Sequence, residues 1–342
     1  MKEENKKYCT NPIIIGGSGS SGSTLLKSLL NRHSKIAIGP ELSIFNKNMF
    51  YETPFEKIKD NINTILEDGM CTDGWFLYPT TFSDFEKYGW NKADLIKMTL
   101  SKESHRDFID EFMSVFLDKS QKNLWAEKTP ANSYCFNEFN NIYPNARFIH
   151  LYRDGKDVVT SLIKRGISPY YATMMWLYNT STASKYKNKS NYFEIKYESL
   201  VNNPKEILED LLSFLNLDYE PTIFTKNDYE TDKITSWNNS PTGKISSGSI
   251  GTHKNMDNYS KYVFNNTIIN KRHANNKNIT YRTTQELLEL FGYDLFDYKF
   301  NKLDKLYFHS KLIISYARDL KSRYFTYRKC YNKNKYYPGG IK

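Results

Sequence analysis

Short apolar runs alternate with longer amphipathic stretches along most of the chain. The apolar runs have the length of buried strands. They lie at 12–16, 35–38, 124–127, 146–152 and 192–197. Apolar residues at helical spacing lie between and after these runs, at 23–33, 132–142, 155–165, 170–187, 204–216 and 283–291. Strands that alternate with helices predict an α/β protein, in which helices flank a central parallel sheet in three layers.

One long stretch interrupts this alternation. Residues 46–120 are mostly polar with helical segments such as 94–118, and we interpret them as a helical insertion over the sheet. Residues 235–260 are rich in Ser, Gly and Asn, which predicts a loop. The pattern therefore predicts one domain over residues 1–298, followed by a separate tail over 299–342.

The tail carries the net charge of the protein. The 342 residues have a net charge of +10, and segment 299–342 alone contains 12 Lys and Arg residues against 2 acidic ones. The remaining body is therefore neutral. Proteins that bind nucleic acid present a basic patch on the binding domain, so the neutral body argues against a nucleic-acid enzyme.

The four cysteines, at positions 9, 71, 135 and 330, are far apart and form no CxxC pair. This spacing indicates neither a zinc site nor a disulfide framework, and scattered cysteines are typical of a reducing cytosol. The first residues lack the apolar core of a signal peptide, and no apolar run reaches the ~20 residues of a membrane span. We therefore expect a cytoplasmic protein without a bound metal.

A Gly/Ser-rich loop joins the first predicted strand to the first predicted helix. It reads Gly17-Ser18-Gly19-Ser20-Ser21-Gly22-Ser23-Thr24, close to the P-loop spacing of GxxxxG followed by Lys and Ser or Thr. Backbone N–H groups and the helix dipole can hold an anion at such a site. Because Ser23 replaces the lysine that serves the β- and γ-phosphates, the loop favours one phosphate group over triphosphate hydrolysis. The alternative is a Gly/Ser turn that binds no ligand.

This loop is the first of six short motifs that occur in order between Pro12 and Tyr293. The others are Gly39-Pro40-Glu41, Glu127-Lys128-Thr129-Pro130, the segment from Ala146 to Ser161, Lys196-Tyr197-Glu198-Ser199-Leu200 and the segment from Gly248 to Lys254. Together they resemble motifs of the sulfotransferase family that uses 3′-phosphoadenosine 5′-phosphosulfate, in the branch of protein-tyrosine and many bacterial sulfotransferases. The resemblance implies a P-loop-like fold and a sulfotransferase activity, and leaves residues 46–120 unmatched.

The resemblance also implies residues that bind this co-substrate. Arg153 ends a predicted strand at the carboxyl edge of the sheet, where such folds bind ligands, and its guanidinium group suits a phosphate. Ser161 and Arg165 lie one turn apart on the next helix and would hold the 3′-phosphate with it. Tyr197 and Lys254 would contact the nucleotide. The residues implied for the 5′-phosphosulfate are Ser20, Ser21, Gly22, Ser23 and Thr24.

Two residues are implied in catalysis. Glu41 would be the general base that takes the proton of the acceptor hydroxyl, and Lys128 would neutralise charge on the departing phosphate. The alternatives are a solvent-exposed acid at Glu41, a surface cation at Lys128, and an ion pair of Arg153 with Asp154 or Asp157. Sulfuryl transfer through positioning and electrostatics needs no metal.

The loop departs from the family at one position. The family usually has Arg or Lys where this chain has Ser20, so less positive charge would stabilise the transferring sulfonate unless Lys27 or Lys128 supplies it. Two alternatives therefore stay open, a nucleotide-binding module with weak activity and a P-loop nucleotide kinase. Ser23 and the strand end at Arg153 argue against the kinase.

The acceptor pocket is expected in the variable segments 46–120 and 225–260. For a cytoplasmic enzyme of this kind we expect a hydroxyl-bearing acceptor, in the first place a carbohydrate and otherwise a small molecule.

The basic tail has a helical pattern of its own. The positions that recur at spacings of three and four are Leu303, Leu306, Ser310, Ile313, Ala317, Leu320, Tyr324 and Tyr327. A basic amphipathic helix can lie on an anionic membrane, which would bring the enzyme to the inner membrane face. The alternative is that this stripe packs on the enzyme body or on a second copy of the chain.

Overall fold

Five parallel strands form the central sheet of the computed structural model, which describes residues 9–42, 44–46, 48–67, 82–224, 245, 247–271 and 279–334. The strands are β1 (Ile13–Gly17), β2 (Ile36–Ile38), β3 (Leu124–Lys128), β4 (Arg147–Tyr152) and β5 (Tyr192–Lys196). Their order is β2-β3-β1-β4-β5, and each neighbouring pair is parallel. Helices flank the sheet, so the predicted three-layer α/β fold is confirmed.

Fourteen α-helices accompany the strands in the described residues, with short 3₁₀ turns at Pro130–Cys135, Pro221–Phe224, Ser247–Ser249 and Thr252–Asn255. The first seven are α1 (Ser23–Leu30), α2 (Asn48–Glu52), α3 (Phe55–Glu67), α4 (Phe82–Lys87), α5 (Lys92–Leu100), α6 (His105–Ser120) and α7 (Phe136–Ile142). The others are α8 (Gly155–Lys164), α9 (Pro169–Ser184), α10 (Tyr197–Asn202), α11 (Pro204–Phe214), α12 (Asn258–Asn266), α13 (Thr284–Phe291) and α14 (Lys302–Asn334).

The described part of segment 46–120 is helical, and α6 packs against β2 and β3. The single helix predicted over 94–118 is wrong, because α5 ends at Leu100 and α6 begins at His105. The Ser104 hydroxyl accepts a hydrogen bond from the Asp107 N–H at 3.1 Å and caps the new helix. A local side-chain cap therefore divides a stretch whose apolar spacing is continuous.

The apolar core has two parts. The first contains apolar side chains of the sheet together with those of α1–α7 and α11. The second is built from α8, α9, α12, α13 and α14. It includes Tyr262, Val263 and Phe264 of α12, a helix that the sequence analysis assigned in part to a loop ending at 260. Residues 235–244 and 246 of the predicted loop at 235–260 lie outside the described residues, and its described part forms 3₁₀ turns at Ser247–Ser249 and Thr252–Asn255 before α12.

Over residues 302–318, whose side chains the structure describes, the C-terminal helix α14 contacts the body through one face. Phe308, Leu312 and Tyr316, spaced by four, join the second core, and Leu312 is 8% exposed. The stripe predicted to be apolar lies elsewhere on the helix, since Leu303, Leu306 and Ile313 are 79%, 70% and 54% exposed. The alternative in which this stripe packs on the enzyme body therefore does not hold for the stripe residues up to Ala317, and the side chains of Leu320, Tyr324 and Tyr327 lie outside the described ones.

Candidate functional site

The predicted phosphate loop, Lys128 and Arg153 all lie at the carboxyl ends of the neighbouring strands β1, β3 and β4. In the sheet register Ile15 lies beside Lys128, and Gly17 lies beside Leu151. Because the strands are parallel, the residues that follow them emerge at the same edge of the sheet. This edge is the usual ligand site of such folds.

The loop between β1 and α1 has a tightly specified backbone. Gly22, the N-terminal cap of α1, has φ +93°, and a Cβ atom there would lie 2.3 Å from the Tyr197 ring. Only glycine meets both requirements. Ser20 also has a left-handed backbone, with φ +66°. Tyr197 begins α10 and is buried against the loop, so the structure brings it to the residues predicted to bind the 5′-phosphosulfate.

Three hydrogen-bond donors at this edge are buried and have no partner. They are the Ser20 hydroxyl, the Ser21 hydroxyl and Nε of Arg153. Buried polar groups are nearly always satisfied, and each exception needs a reason. A cluster of unpartnered donors fits an anionic group such as a phosphate or a sulfonate.

Arg153 connects the loop to two other segments. Its side chain is 5% exposed and lies over the Tyr197 ring, with the guanidinium carbon 4.8 Å from the ring centroid. One terminal nitrogen donates to the Ser20 carbonyl at 2.9 Å, and the other donates to the Ser249 carbonyl. The second nitrogen also lies 3.6 Å from Asp157 Oδ2. The ion pair considered as an alternative is therefore present, and Nε stays available for a ligand.

Asp157 anchors the late Gly248–Lys254 segment, a role that the sequence analysis missed. Its carboxylate accepts hydrogen bonds from the backbone N–H groups of Gly251 and His253 at 2.8 and 2.9 Å, and from the Thr252 hydroxyl at 3.1 Å. Burial raises the pKa of this carboxyl, but these hydrogen bonds and Arg153 outweigh it and lower the pKa overall. The available signal in the sequence was an acidic residue four positions after Arg153, in the first turn of the helix predicted to follow it.

His253 is also part of this anchor, because its Nδ1 lies 2.8 Å from Asp157 Oδ1. His150 is buried and hydrogen-bonded to the Tyr192 hydroxyl at 2.7 Å. His105 packs on Phe50 and Phe55. Burial lowers the pKa of both His150 and His105.

The remaining predicted nucleotide contacts lie further from Arg153. Ser161 and Arg165 follow Asp157 at spacings of four along α8 and its C-cap, and both are half-buried. Arg165 is about 12 Å along the helix axis from Asp157, and burial lowers its pKa. Lys254 is exposed in the 3₁₀ turn Thr252–Asn255.

Glu41 and Lys128 form an ion pair. The Lys128 side chain is 6% exposed, whereas that of Glu41 is 44% exposed. The structure therefore brings the two predicted catalytic residues into direct contact, with the carboxylate on the solvent side and the ammonium group at the end of β3.

Glu127 holds the chain beside Glu41 and was also missed as a site residue. Its buried carboxylate accepts hydrogen bonds from the Leu42 N–H at 3.1 Å, the Thr129 hydroxyl at 2.7 Å and the Asn132 amide. Burial raises the pKa of Glu127, and these hydrogen bonds oppose the rise. The sequence feature that indicated this role is an acidic residue inside a predicted buried strand, because a buried charge needs hydrogen-bond partners or an opposite charge.

Within the described residues, no three His, Cys, Asp or Glu side chains are grouped as a metal site would require. The described helices include none with the length and apolar character needed to cross a membrane.

Comparison with known proteins supports the resemblance seen in the motifs. A family model described as "Sulfotransferase family" matches residues 12–221. Protein-tyrosine sulfotransferase 1 of Danio rerio is 22% identical over 228 residues, covering 62% of this chain and 54% of that protein. Protein-tyrosine sulfotransferase of Drosophila melanogaster is 21% identical over 266 residues, covering 73% of this chain and 46% of that protein. The chain thus spans about half the length of these curated relatives.

Solved structures with the same fold are also sulfotransferase domains. The domain from the curacin biosynthetic pathway superposes with a TM-score of 0.58 at 18% identity, covering 84% of this chain and 99% of that one. The domain from the Synechococcus PCC 7002 olefin synthase gives a TM-score of 0.54 at 18% identity, covering 86% of this chain and 100% of that one. At this identity the likeness shows the fold.

Proposed function

Since this chain belongs to the sulfotransferase family, we propose that it transfers the sulfuryl group of 3′-phosphoadenosine 5′-phosphosulfate to a hydroxyl acceptor. The observation that carries the proposal is the cluster of buried donors without partners, the Ser20 and Ser21 hydroxyls and Arg153 Nε. They lie at the carboxyl edge of the sheet, and a sulfonated or phosphorylated ligand would satisfy them.

In this proposal two groups of residues hold 3′-phosphoadenosine 5′-phosphosulfate. The 5′-phosphosulfate lies against the loop and the N-terminus of α1, where backbone N–H groups and hydroxyls face an anion. The loop residues are Ser20, Ser21, Gly22, Ser23 and Thr24. Arg153 holds the 3′-phosphate, with Ser161 and Arg165 further along α8. Tyr197 supports both groups, because it packs on Gly22 and under Arg153, and Lys254 contacts the nucleotide from the late segment.

Glu41 and Lys128 would carry the chemistry. The acceptor oxygen forms a bond to sulfur while the bond between sulfur and the bridging phosphate oxygen breaks, and the acceptor proton goes to the Glu41 carboxylate. Lys128 balances the negative charge that develops on the departing phosphate. Their ion pair supports this assignment, because it keeps both side chains at the carboxyl edge of the sheet, within reach of one transferring group.

The rate of sulfuryl transfer depends on which cation replaces the Arg or Lys that the family has at the position of Ser20. Lys128 is the cation that we assign in place of the family's Arg or Lys, since it is buried at the same sheet edge. The weak-activity alternative predicts nucleotide binding without transfer. The kinase alternative has no support from the family match, and Ser23 remains an argument against it.

We propose a carbohydrate or small molecule as the acceptor and a cytoplasmic location. Cys9 and Cys135 are buried thiols, which suits a reducing compartment. A tyrosine side chain is the second candidate acceptor, because the relatives in Danio rerio and Drosophila melanogaster are named for that activity.

Two measurements test the proposal. Calorimetry should show that 3′-phosphoadenosine 5′-phosphate binds more tightly than AMP or ATP, and equal affinities would contradict the assigned 3′-phosphate site. Transfer of labelled sulfate should then be screened with glycans, small hydroxyl compounds and tyrosine peptides. Label on glycans supports the first acceptor class, label on peptides supports the second, and tight binding without any transfer indicates the weak-activity alternative.

A further inference from the structure

Over its described side chains, residues 302–318, the C-terminal helix α14 has two apolar faces, and the body covers one of them. Phe308, Leu312 and Tyr316 pack into the second core. Leu303 lies about 180° around the helix from Leu312, at 100° per residue. A helix that served only to close the core would be polar on its outer face, so the outer face of α14 needs its own explanation.

The outer face is rich in large apolar side chains. They are Leu303, Leu306, Tyr307, Ile313 and Ile314, each at least 49% exposed. These five account for most of the strongly exposed large apolar residues of the described chain, and they lie within about three turns of one helix. Scattered apolar residues on a surface are ordinary, but a contiguous group marks a binding surface.

Basic residues border this outer face on both sides. Lys302 and Arg318 lie at its two edges on the helical projection, and both are exposed. Segment 299–342 carries 12 basic and 2 acidic residues, whereas the rest of the chain is neutral. The apolar face and the positive charge are therefore concentrated on the same element.

We propose that the outer face of α14 binds an anionic phospholipid membrane. The apolar side chains enter the boundary between headgroups and acyl chains, and the flanking Lys and Arg residues contact lipid phosphates. We favour a membrane over a second copy of the chain because of the positive charge of this segment. A symmetric contact between two outer faces would bring two segments of net charge +10 together, and like charges repel. This inference is independent of the proposed activity.

Exposed positions provide variants that leave the packed face intact. The full chain should co-sediment with vesicles of equal parts phosphatidylglycerol and phosphatidylcholine at low ionic strength, and far less with pure phosphatidylcholine. The double variant Lys302→Gln/Arg318→Gln should lower the vesicle partition coefficient about 30-fold, at about fivefold for each basic residue near such a surface. Leu306→Ser/Ile313→Ser should lower it by at least about 30-fold.

A matched control changes the same residue types elsewhere. Leu100→Ser/Lys205→Gln alters an exposed leucine and an exposed lysine outside α14, and should bind vesicles like the unmodified chain. The proposal is overturned if the unmodified chain ignores anionic vesicles, or if both α14 variants bind them normally. It is also overturned if sedimentation without lipid shows a dimer that Leu306→Ser/Ile313→Ser dissociates, since a second copy would then cover the face.

Discussion

At the scale of single residues, Arg153 combines two roles that are usually separate. Its terminal nitrogens connect the loop at Ser20 with the late segment at Ser249, and its Nε has no partner. An arginine can do this because its guanidinium group has five N–H donors in a fixed plane. Lysine offers a point charge and cannot hold both carbonyls in this geometry.

We therefore expect Arg153→Lys to lose about 1.5–3 kcal/mol of affinity for 3′-phosphoadenosine 5′-phosphate, the contribution of a hydrogen bond to a charged group. Lysine retains a positive charge beside Asp157, which limits the effect on stability. Calorimetry with AMP provides the reference, because AMP lacks the 3′-phosphate. An equal loss for both ligands would show that Arg153 acts only on the loop conformation.

Glu41→Gln should fold and bind nucleotide normally, but transfer sulfate at least ~10²-fold more slowly, as expected when a general base is lost. Gln preserves the size of the side chain and can still contact Lys128. The control is Glu52→Gln, an exposed acid at the end of α2. Turnover close to normal in Glu41→Gln would assign the base elsewhere, with His105 and His253 as the next candidates.

At the scale of elements, the site depends on α8 holding the late segment through Asp157. Four hydrogen bonds from residues 251–253 converge on this carboxylate. Asp157→Asn should release the 3₁₀ turn Thr252–Asn255, because an amide accepts fewer of these bonds and its NH₂ group opposes the backbone N–H donors. Hydrogen exchange of residues 247–255 should accelerate, while that of β4 stays unchanged.

The same contact should depend on pH. The folded pKa of Asp157 is lower than its ordinary value of 3.8. The stabilisation is therefore complete above about pH 4 and is lost as the pH falls through the lowered pKa. Relative to the intrinsic exchange rate at each pH, the protection of residues 247–255 should fall in acid in the unmodified chain, and change less in Asp157→Asn. If the protection of residues 247–255 depended on pH in the same way in both proteins, Asp157 would not be the group that anchors this segment.

At the scale of the whole molecule, α14 is an integral part of the second core. Leu312→Ala should lower the free energy of unfolding by about 2–4 kcal/mol, because it removes a buried leucine side chain. Ile313→Ala, at the next position on the exposed face, should change it by less than about 0.5 kcal/mol. Urea denaturation measures both. Equal effects would show that α14 does not pack on the body through the Leu312 face in solution.

Much of the fold was predictable because it follows from local pattern. All five strands were predicted to within about one residue of their observed ends, since buried strands of a parallel sheet are rich in apolar and aromatic residues. The division between α5 and α6 was not predicted, because a serine cap interrupts the helix without interrupting the apolar spacing. The helix α12 was missed because polar residues surround its three buried apolar positions.

The sequence by itself determined the α/β class, the Gly/Ser-rich loop at 17–24 between strand and helix, and the order of the motifs, because each depends on residues close together in the chain. Only the tertiary structure decided that Arg153 contacts Ser20, that Asp157 holds residues 251–253, and that Tyr197 packs on Gly22. These contacts join residues some 90 or more positions apart, so no local pattern records them. The same holds for α14, whose two apolar faces are both consistent with its sequence, and only packing against α9 and α12 selected the one that is buried.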